Sequence, residues 1–257
     1  TESGRAATHP CELFRTEGDG TFVDIAPQCG ADFVGFVKGV VAGDYDNDGR
    51  PDLYISCLTR ENALLRNVDA DAGLRFVDVA RQAGVDQPIR SFPTWFWDYD
   101  NDGHLDLFVA GYGIRHIGDI CADYLGLPTD AERLHLFRNR GDGTFEDVSS
   151  AAAIDVVSIP MGANFGDLDN DGWLDFYLGT GDPTMKTILP NRMFRSNGRG
   201  AFEDVTTVGG FGHLQKGHGV SFADFDGDGD QDVHATMGGA FTGDVAFNVL
   251  FENPGND

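Results

Sequence analysis

The chain has 257 residues, 35 of them glycine, and its 42 acidic and 18 basic side chains give a formal net charge of −24. That length suffices for a sizeable core or one large repeat array. The acidity excludes nucleic acid and a polybasic membrane contact, both of which need a basic face. There is no apolar run of transmembrane length and no signal peptide, so the sequence reads as a processed or trimmed chain.

The first predicted element is a hairpin: Leu13-Phe14-Arg15 and Phe22-Val23-Asp24-Ile25 alternate apolar and polar residues around a Gly18-Asp19-Gly20 turn. A short apolar strand, Val40-Val41-Ala42, then enters an acidic loop, and Asp52-Leu53-Tyr54-Ile55 leaves it as another strand. This unit returns three times. Leu64-Leu65-Arg66-Asn67 and Phe76-Val77-Asp78-Val79 make a degraded hairpin, followed by Trp95-Phe96-Trp97 and Asp106-Leu107-Phe108-Val109. Leu136 to Val148 is a full hairpin, followed by Ala163-Asn164-Phe165 and Asp175-Phe176-Tyr177-Leu178. Met193 to Val205 is another, followed by Val220-Ser221-Phe222 and Asp232-Val233-His234-Ala235. The repeats run approximately over residues 13–58, 64–111, 136–180 and 193–238, with a partial strand at 248–253. Four short strands at a period near 55 residues predict an all-β chain, a propeller or partial propeller of four-stranded blades in a single region over 1–257. The longest interval carries an insertion at about 113–133, where Ile120 to Leu125 predicts a short helix ended by Gly126 and Pro128.

Each loop reads Asp-x-Asp-x-Asp-Gly-x-x-Asp, starting at Asp44, Asp98, Asp167 and Asp224. Four carboxylates within nine residues repel one another unless a cation sits among them. Hard oxygen donors at alternating positions suit Ca²⁺, about four per chain. The expected ligand sets are Asp44, Asp46, Asp48, Arg50 and Asp52; Asp98, Asp100, Asp102, His104 and Asp106; Asp167, Asp169, Asp171, Trp173 and Asp175; and Asp224, Asp226, Asp228, Asp230 and Asp232. In each set the seventh residue offers its backbone carbonyl, the ninth closes the site, and the glycine at position six permits the turn. An EF-hand is excluded: position twelve is Ile55, Val109, Leu178 or Ala235 rather than Glu, and strands follow rather than helices. The four sites are alike, which points to a structural role for the ion.

Other residues carry weaker signals. Six residues upstream of each loop stand Lys38, Phe92, Met161 and His218. On inner strands these would approach a central channel. His213, Lys216, His218 and His234 are a candidate ligand site for a transition metal or acid–base chemistry, set against the plainer reading of ordinary histidines. Trp95-Phe96-Trp97 could stack on a sugar ring, but alternating aromatics of this kind read as core. Four cysteines without a CxxC lend no support to zinc or thioredoxin chemistry. Either they are free thiols or, in an exported protein, Cys11–Cys29 is the first pair to expect.

The repeated hairpins and acidic loops resemble the FG-GAP/VCBS repeats of integrin-like β-propellers. Asn191 to Arg195, Gly209 to Gly219, Gly227 to Asp232 and Leu250 to Gly255 resemble more narrowly the ASPIC/UnbV family, the cartilage acidic protein-like group. The resemblance implies an extracellular, cell-surface or periplasmic calcium-binding propeller without the C-terminal ASPIC/UnbV domain. The function expected is a scaffold for adhesion or for protein or glycan interaction, with no nucleic acid and no membrane insertion. Two alternatives stand beside it: a polysaccharide lyase or hydrolase acting near His213, Lys216 and His218, and a purely structural subunit contacting neighbouring subunits of a surface assembly. No GxSxG, HExxH or phosphate loop is present.

Overall fold

The structure is a computed structural model that describes residues 9–68, 73–181, 189–238 and 246–255. It forms two compact units. One holds the residues up to Trp97 with His104–Val109 and Phe137–Glu146; the other holds Asp98–Gly103, Ala110–Leu136 and the residues from Asp147 onward.

In the first unit a two-stranded sheet pairs β1 (Phe14–Thr16) with β2 (Phe22–Asp24). A helical turn, α1 (Ala26–Cys29), leads to an antiparallel meander of β3 (Val37–Gly43), β4 (Asp52–Cys57), β5 (Ala63–Val68) and β6 (Arg75–Asp78). A second turn, α2 (Ala80–Ala83), leads to the meander of β7 (Ser91–Trp97), β8 (Asp106–Gly111), β9 (Leu134–Asn139) and β10 (Phe145–Asp147). The second unit holds the helix α3 (Ile117–Tyr124) and the meander of β11 (Pro160–Gly166), β12 (Asp175–Thr180), β13 (Arg192–Ser196) and β14 (Phe202–Asp204). It also holds a three-stranded sheet of β15 (Gly217–Ala223), β16 (Asp232–Met237) and β17 (Val249–Phe251).

In each meander the acidic loop joins the first two strands and the hairpin supplies the last two, so the sheets run over 37–78, 91–147 and 160–204 and each hairpin follows its loop, whereas the predicted repeats placed it before the loop. The second strands are buried on both faces, which their unbroken apolar runs require. In the first unit Tyr54, Leu64, Phe96, Leu107, Val109, Phe137 and Phe145 share one core. The second unit packs Tyr177, Met193, Val220, Val233 and Ala235 together. Trp95 is buried and stacks on Phe108 at 3.9 Å between centroids, so the Trp95-Phe96-Trp97 run is core. The insertion helix starts three residues before the predicted segment, because Asp119 caps it by accepting from the Arg115 and His116 amides at 2.6 and 3.2 Å.

Within each unit the first strands of successive sheets run side by side. A methyl on Gly39 would meet the Phe92 carbonyl oxygen at 2.9 Å, and one on Gly162 would overlap the His218 carbonyl oxygen at 1.2 Å. The register of β3, β11 and β15 shifts at Lys38, at Met161 and at His218–Gly219, so three of the four aligned positions sit on a bulge. Lys38 lies over the Phe36 and Phe92 rings at 4.4 and 5.0 Å.

The cysteines correct one expectation. All four are free, and the Cys29 thiol donates to the Ala26 carbonyl at 3.6 Å instead of pairing with Cys11. Burial, and after it the nearby Cys57, raise the Cys11 thiol pKa.

Candidate metal centre

The acidic loops are organised first by their own backbone. The aspartate at position one accepts two amides from across the turn. Asp44 takes Asp48 and Gly49 at 3.0 and 2.8 Å, Asp98 takes Asp102 and Gly103 at 2.9 Å each, and Asp167 takes Asp171 and Gly172 at 3.1 and 3.0 Å. Asp224 takes Gly227 and Gly229 at 2.7 and 3.1 Å. The aspartate at position five accepts the amide of position seven, as Arg50 does on Asp48, Trp173 on Asp171 and Asp230 on Asp228. Position nine works differently. Asp52 accepts from Tyr45 and Asn67, Asp175 from Leu168 and Ser196, and Asp232 from Phe225 and Asn253, while Asp106 accepts from Asn139. That carboxylate is buried in all four loops and ties its loop to the third strand of its own sheet.

Position four was not singled out from sequence. Asn47, Asn101 and Asn170 adopt φ of 56°, 55° and 54°, and the fourth loop has Gly227 at 83°. Only asparagine and glycine take this left-handed conformation readily, and three asparagines and one glycine at aligned positions were the available signal. Each asparagine reaches the next loop: Asn47 bonds the His104 ring, Asn101 donates to the Gly172 carbonyl and Asn170 donates to Asp230. The third-strand asparagines add further ties. Asn139 donates to the Tyr45 and Leu105 carbonyls at 2.7 and 2.9 Å, and Asn253 to Leu168 and Gln231 at 2.7 and 3.3 Å.

These frames gather carboxylate oxygens. Asp44, Asp46 and Asp48 bring one oxygen each to within 4.8 Å of one another, as do Asp167, Asp169 and Asp175, and Asp224, Asp226 and Asp232. Position three supplies the most telling atoms: Asp46 Oδ1 and Asp169 Oδ1 are buried and receive no hydrogen bond. Burial raises both carboxyl pKa values. It also pushes Asp52 up to about 6 and Asp175 to about 7, against the lowering effect of the amides they accept. Buried anions facing one another without donors are costly, and a divalent cation removes that cost. The donor set is all oxygen, so it fits a hard ion such as Ca²⁺. In the first loop two arginines already bring positive charge: Arg66 pairs with Asp46 at 2.6 Å and Arg50 pairs with Asp48.

The histidine candidates have separate surroundings. His213 Nδ1 accepts the Gln215 amide at 3.3 Å, the His218 ring bonds the Gly238 carbonyl, and His234 meets the Phe225 ring edge at 6.3 Å. Lys216 is buried. Among the described residues, every group of three or more side chains close enough to hold a metal consists of aspartates.

Known proteins resemble this chain in sequence. The chain is 29% identical over 192 residues to cartilage acidic protein 1 of Homo sapiens, covering 73% of this chain and 26% of that protein. It therefore spans about a quarter of the length of the curated relative it matches. Among solved structures it is similar to an Agrocybe aegerita lectin that recognises non-reducing terminal N-acetylglucosamine, with TM-score 0.48 and 19% identity over 90% of this chain and 58% of that one. It is also similar to the Dos1 propeller, with TM-score 0.40 and 8% identity over 77% and 42%. Residues 6–55, 98–178 and 180–235 match the FG-GAP-like repeat family, and the chain belongs to that family of β-propellers.

Proposed function

We propose that this chain is a calcium-stabilised propeller segment that serves outside the cytoplasm as a scaffold for protein or glycan partners. Its ions are structural and number about four. The observation that carries this reading is the recurrence of one acidic frame in which buried oxygens, Asp46 Oδ1 and Asp169 Oδ1, have no donor. Arg50, His104, Trp173 and Asp230 would add backbone carbonyls to the aspartate oxygens. The millimolar calcium outside cells suits modules of this kind. Among the described residues no helix is long and apolar enough to cross a membrane. His213 and His218 have separate hydrogen-bond partners, Gln215 and Gly238, which gives the catalytic alternative no support over the scaffold reading.

The test is metal content by mass spectrometry together with thermal unfolding in Ca²⁺ and in excess chelator. Each loop saturated at a hundredfold over its Kd adds about 2.7 kcal/mol. Near four Ca²⁺ per chain and a fall of many degrees on chelation are expected. A chain that binds no Ca²⁺ and melts identically with chelator would remove the reading.

A further inference from the structure

The third strand of each meander carries an arginine beside its acidic loop. Arg66, Arg138 and Arg195 each precede the residue whose amide clips the position-nine aspartate. What the arginine does next is decided by the fourth strand. Arg195 lies opposite Glu203 and holds its carboxylate at 3.1 Å, and Arg138 holds Glu146 at 3.0 Å. The residue opposite Arg66 is Val77, which has no charge to offer. Arg66 turns to the acidic loop instead, with Nε 2.6 Å from Asp46 Oδ2 and Nη2 3.9 Å from Asp48 Oδ2. Arg195, engaged by Glu203, stays 3.9 Å from Asp169 Oδ2.

Position seven adds to the contrast. In the first loop it is Arg50, whose guanidinium pairs with Asp48 and donates Nε–H to the Asn67 carbonyl at 3.0 Å. In the third loop it is the neutral Trp173. In the fourth it is Asp230, and Glu252 stands where the other sheets have the arginine, just before the Asn253 amide that clips Asp232. Two arginines therefore oppose the four carboxylates of the first loop. The third loop meets one arginine shared with Glu203, and the fourth has acidic residues at both positions. A fixed cation beside the candidate ligand oxygens occupies them and repels a second cation. At an effective dielectric of about 20 a charge this close shifts affinity by more than tenfold. Arg66 is 42% exposed, so solvent screens part of that repulsion.

We infer that the first loop is the weakest of the calcium sites and fills last, and that Arg66, left without a cross-strand carboxylate by Val77, sets its affinity. Arg66 must leave Asp46 before that carboxylate can serve an ion, whereas Asp169 Oδ1 in the third loop is buried and free of any donor. A fall in calcium then empties the first meander before the others. The cause lies outside the acidic motif: one residue on the fourth strand, Glu or Val, decides whether the arginine is held away from the loop or released to it.

This ranking rests on the calcium reading of the loops and goes beyond it. The test is calorimetric titration of Ca²⁺ into the 257-residue chain after chelator treatment, with the folding of each variant checked by circular dichroism. A tight phase is expected, followed by a phase of about one ion at least tenfold weaker. Asp46→Asn should remove the weak phase, and Asp169→Asn should remove one ion from the tight phase. Arg66→Gln should tighten the weak phase about tenfold. Val77→Glu, at a position 39% exposed, restores a carboxylate opposite Arg66 and should tighten it as well. In the Arg66→Gln background the same change should add little. All ions binding in one phase overturns the ranking and leaves the calcium reading in place. So does a weak phase lost with Asp169→Asn, or one that Arg66→Gln does not move. A chain that binds no Ca²⁺ overturns both.

Discussion

At the scale of single residues, the acidic loops divide their labour by position. Position one shapes the turn, position three of the first and third loops presents a buried oxygen that accepts no hydrogen bond, and position nine clips the loop to its sheet. The contrast between Asp169 and Asp175 makes the division concrete. Asp169 Oδ1 is buried without a donor, whereas Asp175 accepts Leu168 and Ser196 amides at 2.8 and 2.7 Å. Replacing Asp175 by Ala therefore strands two amides as well as removing an anion. Asp175→Ala should cost about 3 kcal/mol, since each unsatisfied buried donor costs roughly 1–3 kcal/mol. The loss should persist in chelator, read as a shift of the urea midpoint without and with Ca²⁺. Were the loss to vanish in chelator, position nine would be a ligand and nothing more.

At the scale of elements, the first strand of each sheet is set by backbone proximity rather than side-chain packing. Gly162 has no room for a methyl because the His218 carbonyl of β15 occupies that space. Gly162→Ala must push β11 and β15 apart. It should destabilise the protein by about 3 kcal/mol, at the upper end of overpacking costs, measured by chemical denaturation. An unperturbed variant would mean that the two strands can separate freely. The strands themselves were legible in the sequence, because hairpin turns and alternating apolar residues report local geometry. The bulges at Lys38, Met161 and His218 were not, since a shift of register depends on which strand lies alongside. The Cys11–Cys29 pairing failed for a related reason. Flanking the same hairpin in sequence says nothing about where two thiols point, and Cys29 turns inward to the Ala26 carbonyl.

For the whole molecule, charge is the dominant fact. A formal −24 on 257 residues strains the folded chain by self-repulsion, and seventeen of its 42 acidic side chains lie in the four loops. Bound Ca²⁺ and dissolved salt should relieve the same strain. In chelator, the thermal midpoint should rise by several degrees as NaCl goes from about 10 to about 200 mM, where the Debye length falls from about 30 Å to below 10 Å. In Ca²⁺ the rise should be smaller. Equal salt responses in both conditions would mean that the loop carboxylates carry no excess repulsion. The sequence by itself determined the repeat, the all-β class, the hairpins and the four acidic frames. Each of these is written in spacing that a local stretch of chain obeys on its own: period two for strands, fixed offsets for turns and alternating oxygens for a loop. The tertiary structure alone decided which side chains meet. It left His213, His218 and His234 with separate partners and tied the position-four asparagines to the next loop. Those outcomes depend on how distant segments of chain pack, and sequence spacing carries no term for that.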